Sequence, residues 1–469
     1  MTYFFETYGC QMNKAESASL EQLLLARGWT ASEYAETADL VIINTCSVRA
    51  TAETRIHGRL GWYSALKKER NGIQPASNHR EARPCEVPVK KLTLVVTGCM
   101  AERLKDSLKR DFPVVDYVVG TFKKQHFQDI IDAVEQNREL VNLEEDAVYS
   151  FAPLSYEPGA FQAFVPIMHG CNNFCSYCIV PYVRGREISR PADEILKEID
   201  MLSAKNVKEV TLLGQNVNSY RFEETLSDGT VHLVDFPELL ERIAVHIRET
   251  KSSIGWVRFM SSHPKDLSDR LIDIIAKERV LCRHIHLPVQ NGSTAVLKAM
   301  NRKYTREQYL ELVDKIRKRI PDVSLSTDIL VGFPGETEED FEQTVSLMQQ
   351  VRYEAAYMYY YNPREGTVAF SMKNQIPMEE KKRRVAKIIE VQLGITKEQL
   401  EQRIGEKVLV LVEAESRGDS SELLGRTERD ERVVFKGDKS LIGSFVNVSL
   451  DELNGNTFRG KLIDTDEKQ

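Results

Sequence analysis

The sequence predicts an α/β protein in three parts. These are a doubly wound parallel sheet over residues 1–148, an incomplete (β/α)6 barrel over 157–390, and a small antiparallel β-barrel over 400–465. Three observations predict it. The opening region alternates uniformly apolar strand runs with helical patterns, as expected of strands buried on both faces of a parallel sheet. After a Pro- and Gly-containing linker at 153–159, six further strand runs alternate with helices. Past a long charged helix at 378–402, the pattern changes to short alternating strands separated by turns.

In the first part YFFETYG leads to Cys10, DLVIINTC ends on Cys46 and LTLVVTGC ends on Cys99. A helical pattern follows each: one with Leu20, Leu23 and Leu24 on a single side, one running through Leu60, and one around Leu104 and Leu108. Sites in such sheets form beyond the carboxyl ends of the strands, so cysteines tens of positions apart are expected to converge there. The hydrophilic stretch from Lys67 to Lys91 reads as a surface insertion, and Cys85 within it, following no strand, as a free thiol.

In the second part the strand runs are AFVPIM, EVTLLG, WVRFMS, RHIHLP, VSLSTDILVG and AAYMYYY, with helices such as ILKEIDML and FPELLERIAV between them. The run HGCNNFCSYCIVPYVRG follows the first strand, which puts Cys171, Cys175 and Cys178 at the barrel mouth. The third part reads as strands in EKVLVLVEAES, LLGRTERDERVVFKG, GSFVNVSLDEL and NTFRGKLI.

At 469 residues the chain exceeds one typical core. A net charge of −7 argues against a wholly basic nucleic-acid binder, and the basic runs KIRKRI from Lys315 and KKRR from Lys381 read as solvated helix faces. No apolar run approaches the roughly 18–20 residues that span a bilayer. The N-terminus lacks the basic flank and apolar core of a signal peptide. A cytoplasmic protein is the expectation, and there cysteines serve metals or catalysis more than disulfides.

Six of the eight cysteines form two triplets. A saturated tetrahedral site needs four ligands. Two three-legged sites suggest two iron–sulfur clusters, each with one iron open to a substrate or cofactor. The C-x2-C step at Cys175 and Cys178 also occurs in zinc ribbons and redox pairs. Zinc would want a fourth ligand; His169 is near, but no second C-x2-C exists, and His169 fits a strand-end role better. Tyr177, between two cysteines, is a packing residue or a surface for an adenine ring.

CNNFCSYC resembles the C-x3-C-x2-aromatic-C signature of the radical S-adenosylmethionine enzymes. The chain as a whole resembles their methylthiotransferase branch, through GCQMN, NTCSVR and TGCMAE in the first part and GQNVNSY, SSHP, HLPVQNGS, DILVGFPGET and YNPREGT in the second. The third part is similar to a TRAM domain, an RNA-binding β-barrel. GCQMN and GQNVN resemble the tRNA-modifying MiaB type. The resemblance implies a 4Fe–4S cluster on Cys171, Cys175 and Cys178 that binds S-adenosylmethionine and makes a radical from it, and an auxiliary 4Fe–4S cluster on Cys10, Cys46 and Cys99 that presents sulfur. The implied reaction puts a methylthio group on C2 of N6-isopentenyladenosine beside the tRNA anticodon. The alternatives are a ribosomal protein side chain and threonylcarbamoyl-adenosine in tRNA. Implied partners are the anticodon stem-loop, a flavodoxin-type electron donor and iron–sulfur carrier proteins, with the enzyme a monomer.

Gly214, Gln215, Asn216, Gln290 and Asp328, at strand ends, are candidates with Tyr177 for the S-adenosylmethionine pocket. Arg364 reads as a contact for an anion or a structural ion pair, and Cys282 as structural. His284 and His286 share a strand face, where at least one packs; Glu336 reads as the start of the next helix. Residues 401–469 hold 11 Lys and Arg against 15 Asp and Glu, yet Arg417, Arg426, Arg429 and Arg432 lie close enough in sequence to form a positive face for tRNA.

Overall fold

β1 (Thr2–Thr7), β2 (Thr30–Ala31), β3 (Leu40–Thr45), β4 (Thr93–Gly98) and β5 (Tyr117–Val119) form one parallel sheet in the order β2-β1-β3-β4-β5. Alternate residues of the central strands feed two separate cores. Val41, Ile43, Leu94 and Val96 pack with Ile56, Leu60 and Tyr63 of the helix Ala50–Arg70. Leu40, Ile42 and Val95 pack with Leu20 and Leu24 of the helix Gln11–Ala26 and with Ile130 and Ile131 of Phe127–Glu135. Both faces are thus covered, the doubly wound arrangement the apolar runs predict. Truncating one of these strand residues to Ala would cost about 2–5 kcal/mol.

The computed structural model describes residues 1–47, 50–70, 92–138 and 149–463. The chain divides into two units, residues 1–172 with 179–190, and residues 173–178 with 191–469. The helix Ala50–Arg70 runs past Leu60, so the predicted insertion begins later than Lys67. Lys67 is helical and donates to the Val114 carbonyl at 2.8 Å. The remainder of that stretch, 71–91 with Cys85, lies outside the described residues. Also in the first unit are β6 (Gln162–Pro166) and the short antiparallel pair β7 (Met168–His169) and β8 (Ile188–Ser189).

In the second unit β9 (Glu209–Leu213) pairs in parallel with β12 (Trp256–Phe259), and β13 (His284–His286), β14 (Ser324–Val331) and β15 (Ala355–Tyr360) pair in parallel with one another. A parallel bridge from Val257 to Leu281 links the two sets. These are five of the six strands the sequence predicts for an incomplete β/α barrel; the other, β6, falls in the first unit. The sequence reading missed one hairpin, β10 (Arg221–Thr225) with β11 (Val231–Asp235). Asp235 then caps the next helix by accepting from Glu238 N at 2.9 Å.

β16 (Lys407–Glu415), β17 (Glu422–Thr427), β18 (Arg432–Lys436), β19 (Phe445–Asn454) and β20 (Thr457–Leu462) close a barrel in the order β16-β17-β18-β20-β19. All its pairs are antiparallel except β18–β20. This barrel is fixed to the strands of its unit by a buried ionic joint. Arg258 donates to Glu209 Oε2 at 2.6 Å, to the Glu428 carbonyl at 2.9 Å and to the Thr427 carbonyl at 2.7 Å. Arg426 donates to Glu413 Oε1 at 2.6 Å and Glu209 Oε1 at 3.2 Å, and Arg429 pairs with Glu354. The positive face expected for tRNA is therefore corrected: Arg426 and Arg429 hold the core, and Arg417 and Arg432 alone of that group are exposed.

The basic run at Lys381 is solvated only in part, at Lys382 and Arg383. Lys381 and Arg384 are buried, Lys381 Nζ lies 5.0 Å from the Tyr361 ring centre, and Arg384 pairs with Glu336 Oε2 at 2.9 Å. In the run from Lys315, Lys315 pairs with Asp269 Oδ1 at 2.7 Å and Arg319 with Asp273 Oδ1 at 3.1 Å.

Candidate functional site

The first triplet meets at one edge of the first sheet. Thr45 is in register with Gly98, so the next residues, Cys46 and Cys99, leave neighbouring strands together. Neighbouring strands lie about 4.8 Å apart. Gly9, with φ +140°, brings the segment after β1 against them: a Cβ at that position would stand 2.6 Å from Cys46 Cβ. Asn13 fixes the Cys10 corner. Its Oδ1 accepts from Cys10 Sγ at 3.2 Å, while its Nδ2 donates to Asn44 Oδ1 at 2.8 Å and the Thr45 carbonyl at 3.0 Å. Cys10 is exposed, whereas Cys46 and Cys99 are buried. Cys10 caps the helix Gln11–Ala26. Burial pushes the Cys99 thiol up, and the nearby Arg184 guanidinium pulls it back.

Sequence reasoning missed Arg184. It ends the short helix Val180–Arg184, and its Nε donates to Cys99 Sγ at 3.2 Å. Its Nη1 donates to Glu16 Oε1 at 2.8 Å and reaches His169 Nδ1 at 3.4 Å. Arg184 and Lys124 hold the Glu16 carboxyl down at about 2 against the opposing effect of burial. The His169 ring stacks on Tyr149 at 3.6 Å, and its Nε2 is buried with no hydrogen-bond partner. Burial first and then the Arg184 charge keep this imidazole neutral.

Cys171, of the second triplet, donates its N–H to the Gly185 carbonyl at 3.1 Å. Gly170 before it has φ +81°, and a Cβ there would strike the Arg186 carbonyl. In the second unit, the loop carrying Cys175 and Cys178 is clamped by distant residues. Ser176 N donates to the Met300 carbonyl at 3.0 Å and Ser176 Oγ to the Ala299 carbonyl at 2.9 Å. Asn301 Nδ2 donates to the Phe174 carbonyl at 2.9 Å. Tyr177 packs against Val296, Met300, Phe333 and Tyr361. Arg302 Nη1 lies 3.5 Å from Cys175 Sγ, with its other nitrogens donating to Tyr304 Oη and the Pro288 carbonyl, both at 2.9 Å. Among the described residues no carboxylate pairs with Arg302.

Gly214, Gln215 and Asn216 follow β9. Asn216 Nδ2 donates to Asp266 Oδ2 at 2.9 Å, but its Oδ1 is buried without a hydrogen-bond partner, as are Ser262 Oγ and His263 Nε2 beyond β12. These orphaned atoms fit a polar ligand at the strand ends. Ser262 and His263 were legible only as part of the SSHP run. Burial and the Arg302 charge lower the His263 imidazole to about 2. Gln290 has φ +72°, and its N–H donates to the Asp328 carbonyl at 2.9 Å. The Asp328 carboxylate lies 3.5 Å from His286 Nε2.

Of the remaining candidates, His284 and His286 are buried and share Ser326 Oγ, at 2.8 and 2.9 Å. Cys282 is buried, its thiol pushed up to about 12. The Arg364 carbonyl accepts from Thr367. Glu336 does not start a helix: Thr337 caps Glu338–Val351, and the buried Glu336 accepts from Asn291 Nδ2 at 2.9 Å and from Arg384. Among the described residues no three His, Cys, Asp or Glu side chains close around one metal ion. An iron–sulfur cube differs from a single ion in distributing its thiolate ligands over separate irons.

Parallel β/α strands in a chain with a C-x3-C-x2-C run define a class, and the model of the Radical SAM superfamily matches residues 165–348. The model of Uncharacterized protein family UPF0004 matches residues 2–120, and that of the TRAM domain matches 401–463. The chain belongs to the radical S-adenosylmethionine superfamily, which implies a 4Fe–4S cluster and S-adenosylmethionine. Within it, the chain belongs to the family of the tRNA-2-methylthio-N(6)-dimethylallyladenosine synthases. It is 52% identical to the Treponema denticola enzyme of that name, over 98% of this chain and 100% of the relative. It is 51% identical to the Treponema pallidum enzyme over 99% of each, and 44% identical to that of Carboxydothermus hydrogenoformans over 96% and 97%. Among solved structures, the radical S-adenosylmethionine methyltransferase TsrM from Kitasatospora setae shares the fold. Its TM-score is 0.56 at 14% identity, over 79% of this chain and 77% of that one.

Proposed function

We propose that this protein adds a methylthio group to C2 of N6-isopentenyladenosine beside the tRNA anticodon. The observation that carries the reading is the meeting of Cys10, Cys46 and Cys99 at one sheet edge, in a chain that also holds Cys171, Cys175 and Cys178 on one loop. Each set would hold a 4Fe–4S cluster with one corner open. Bound there with S-adenosylmethionine, the clusters would supply the radical, the sulfur and the methyl group.

The protein's own residues position and shield. An adenine C2–H is neither acidic nor electrophilic, so no side-chain acid or base activates it and the hard step falls to cofactors. Asn216 offers a buried carbonyl oxygen to a ligand's ammonium group, Tyr177 packs beside the thiols, and Gly214, Gln215, Gln290 and Asp328 complete the set of strand-end groups for S-adenosylmethionine. The base must leave its stack to reach such a site, and an anticodon loop releases a base more cheaply than a duplex does.

The work divides among residues 1–148 for the auxiliary cluster, 157–390 for the radical core and 400–465 for tRNA. A flavodoxin-type donor supplies electrons, iron–sulfur carrier proteins load the clusters, and the enzyme acts as a monomer in the cytoplasm. Among the described residues no helix is long and apolar enough to cross a membrane. The names of the relatives favour the isopentenylated base over a ribosomal protein or threonylcarbamoyl-adenosine. The test is the anaerobically reconstituted enzyme with isopentenylated anticodon stem-loop RNA. Methylthio product by mass spectrometry is expected; product on ribosomal protein, with none on the RNA, would overturn the assignment.

A further inference from the structure

We infer that Arg184 is a positioning residue for the first tripod, donating a charge-assisted hydrogen bond to the Cys99 sulfur and raising the reduction potential of the cluster held there. The inference rests on the reading of Cys10, Cys46 and Cys99 as ligands.

Arg184 is 2% exposed, so its charge must be met inside the protein. It cannot shed its proton, and its planar fork is aimed by two groups. Glu16 takes Nη1 at 2.8 Å and Nη2 at 3.4 Å, which leaves Nε directed at Cys99 Sγ, 3.2 Å away. Glu16 lies on the helix Gln11–Ala26 that Cys10 caps. One guanidinium therefore ties the Cys10 helix to the Cys99 corner. The Lys124 ammonium braces the same carboxylate, so the two cations and Glu16 leave a net positive charge beside the thiols. Hydrogen bonds to the sulfurs and local net charge are the protein's levers on cluster potential. An arginine whose charge was cancelled by Glu16 and that made no hydrogen bond to sulfur would leave that potential nearly unmoved.

The experiment is a redox titration of the reconstituted full chain, followed by electron paramagnetic resonance, in a Cys175→Ala background so that the first tripod alone reports. Arg184→Gln is expected to move the midpoint to a more negative value at unchanged iron content. Arg184→Lys, which keeps the charge but loses the fork, should move it in the same direction by less. A midpoint unmoved in Arg184→Gln overturns the inference. If that variant fails to fold, Arg184→Lys decides: a wild-type midpoint overturns, a more negative one supports. If the Cys175→Ala parent binds no cluster while Cys46→Ala retains one, the ligand reading itself fails, an outcome distinct from an unmoved midpoint.

Discussion

The two thiol sites are built differently. In the first, strand register and one asparagine bring the cysteines to a sheet edge, and Arg184 is matched by the Glu16 carboxylate. In the second, the loop is clamped by backbone and side-chain bonds from residues more than a hundred positions away, and Arg302 meets no carboxylate among the described residues, only a carbonyl, a phenol and Cys175. A buried cation without an acid partner leaves its charge for whatever anion occupies the site. The first site meets its arginine with an acid, and the second leaves its arginine to meet a guest.

The largest effect expected is all-or-none. Cys175→Ala should abolish 5′-deoxyadenosine formation from S-adenosylmethionine, while Cys46→Ala should keep that cleavage and lose the methylthio product. Chromatography of both products would break the division of labour if either variant behaved as the other. Next, Arg302→Gln should slow cleavage about 10–100-fold, the usual effect of losing a supporting partner at a metal site. Rates at saturating S-adenosylmethionine check it. Glu16→Ala should destabilise the first unit by about 3–5 kcal/mol, because it strands two buried cations; the shift in urea midpoint measures this. The smallest concerns His284 in the second unit, whose imidazole burial lowers to about 4. Its contribution is fully present above the unfolded value of about 6.5 and is lost as pH falls from there through 4, about 3 kcal/mol in all. His284→Gln should flatten stability across that window, read from urea melts at stepped pH.

Much of this was legible in the sequence. Runs such as LVIIN and LTLVV admit little besides a two-faced parallel sheet, and a strand that ends on a cysteine announces where its thiol points. The arginines were not legible, because pairing is a long-range property. Arg184 stands 85 residues from Cys99, and Arg302 stands 127 from Cys175. Arg426 and Arg429 were misread for the same reason: charge in a sequence does not reveal whether it faces water or an acid of the same fold. The hairpin Arg221–Thr225 and Val231–Asp235 escaped because the adjacent acids Glu223 and Glu224 break the strand pattern and the pair buries little.

The turn between β17 and β18 gives the terminal barrel a second duty. Its Thr427 and Glu428 carbonyls satisfy Arg258, whose ring neighbour Trp256 meets Phe445 edge-on at 4.7 Å. Cutting the chain after the helix Met378–Glu401 would therefore strip Arg258 of two carbonyl acceptors and leave it only the Glu209 carboxylate. The terminal barrel is thus a keel for the strands of its unit, and no other module could replace it without recutting the joint.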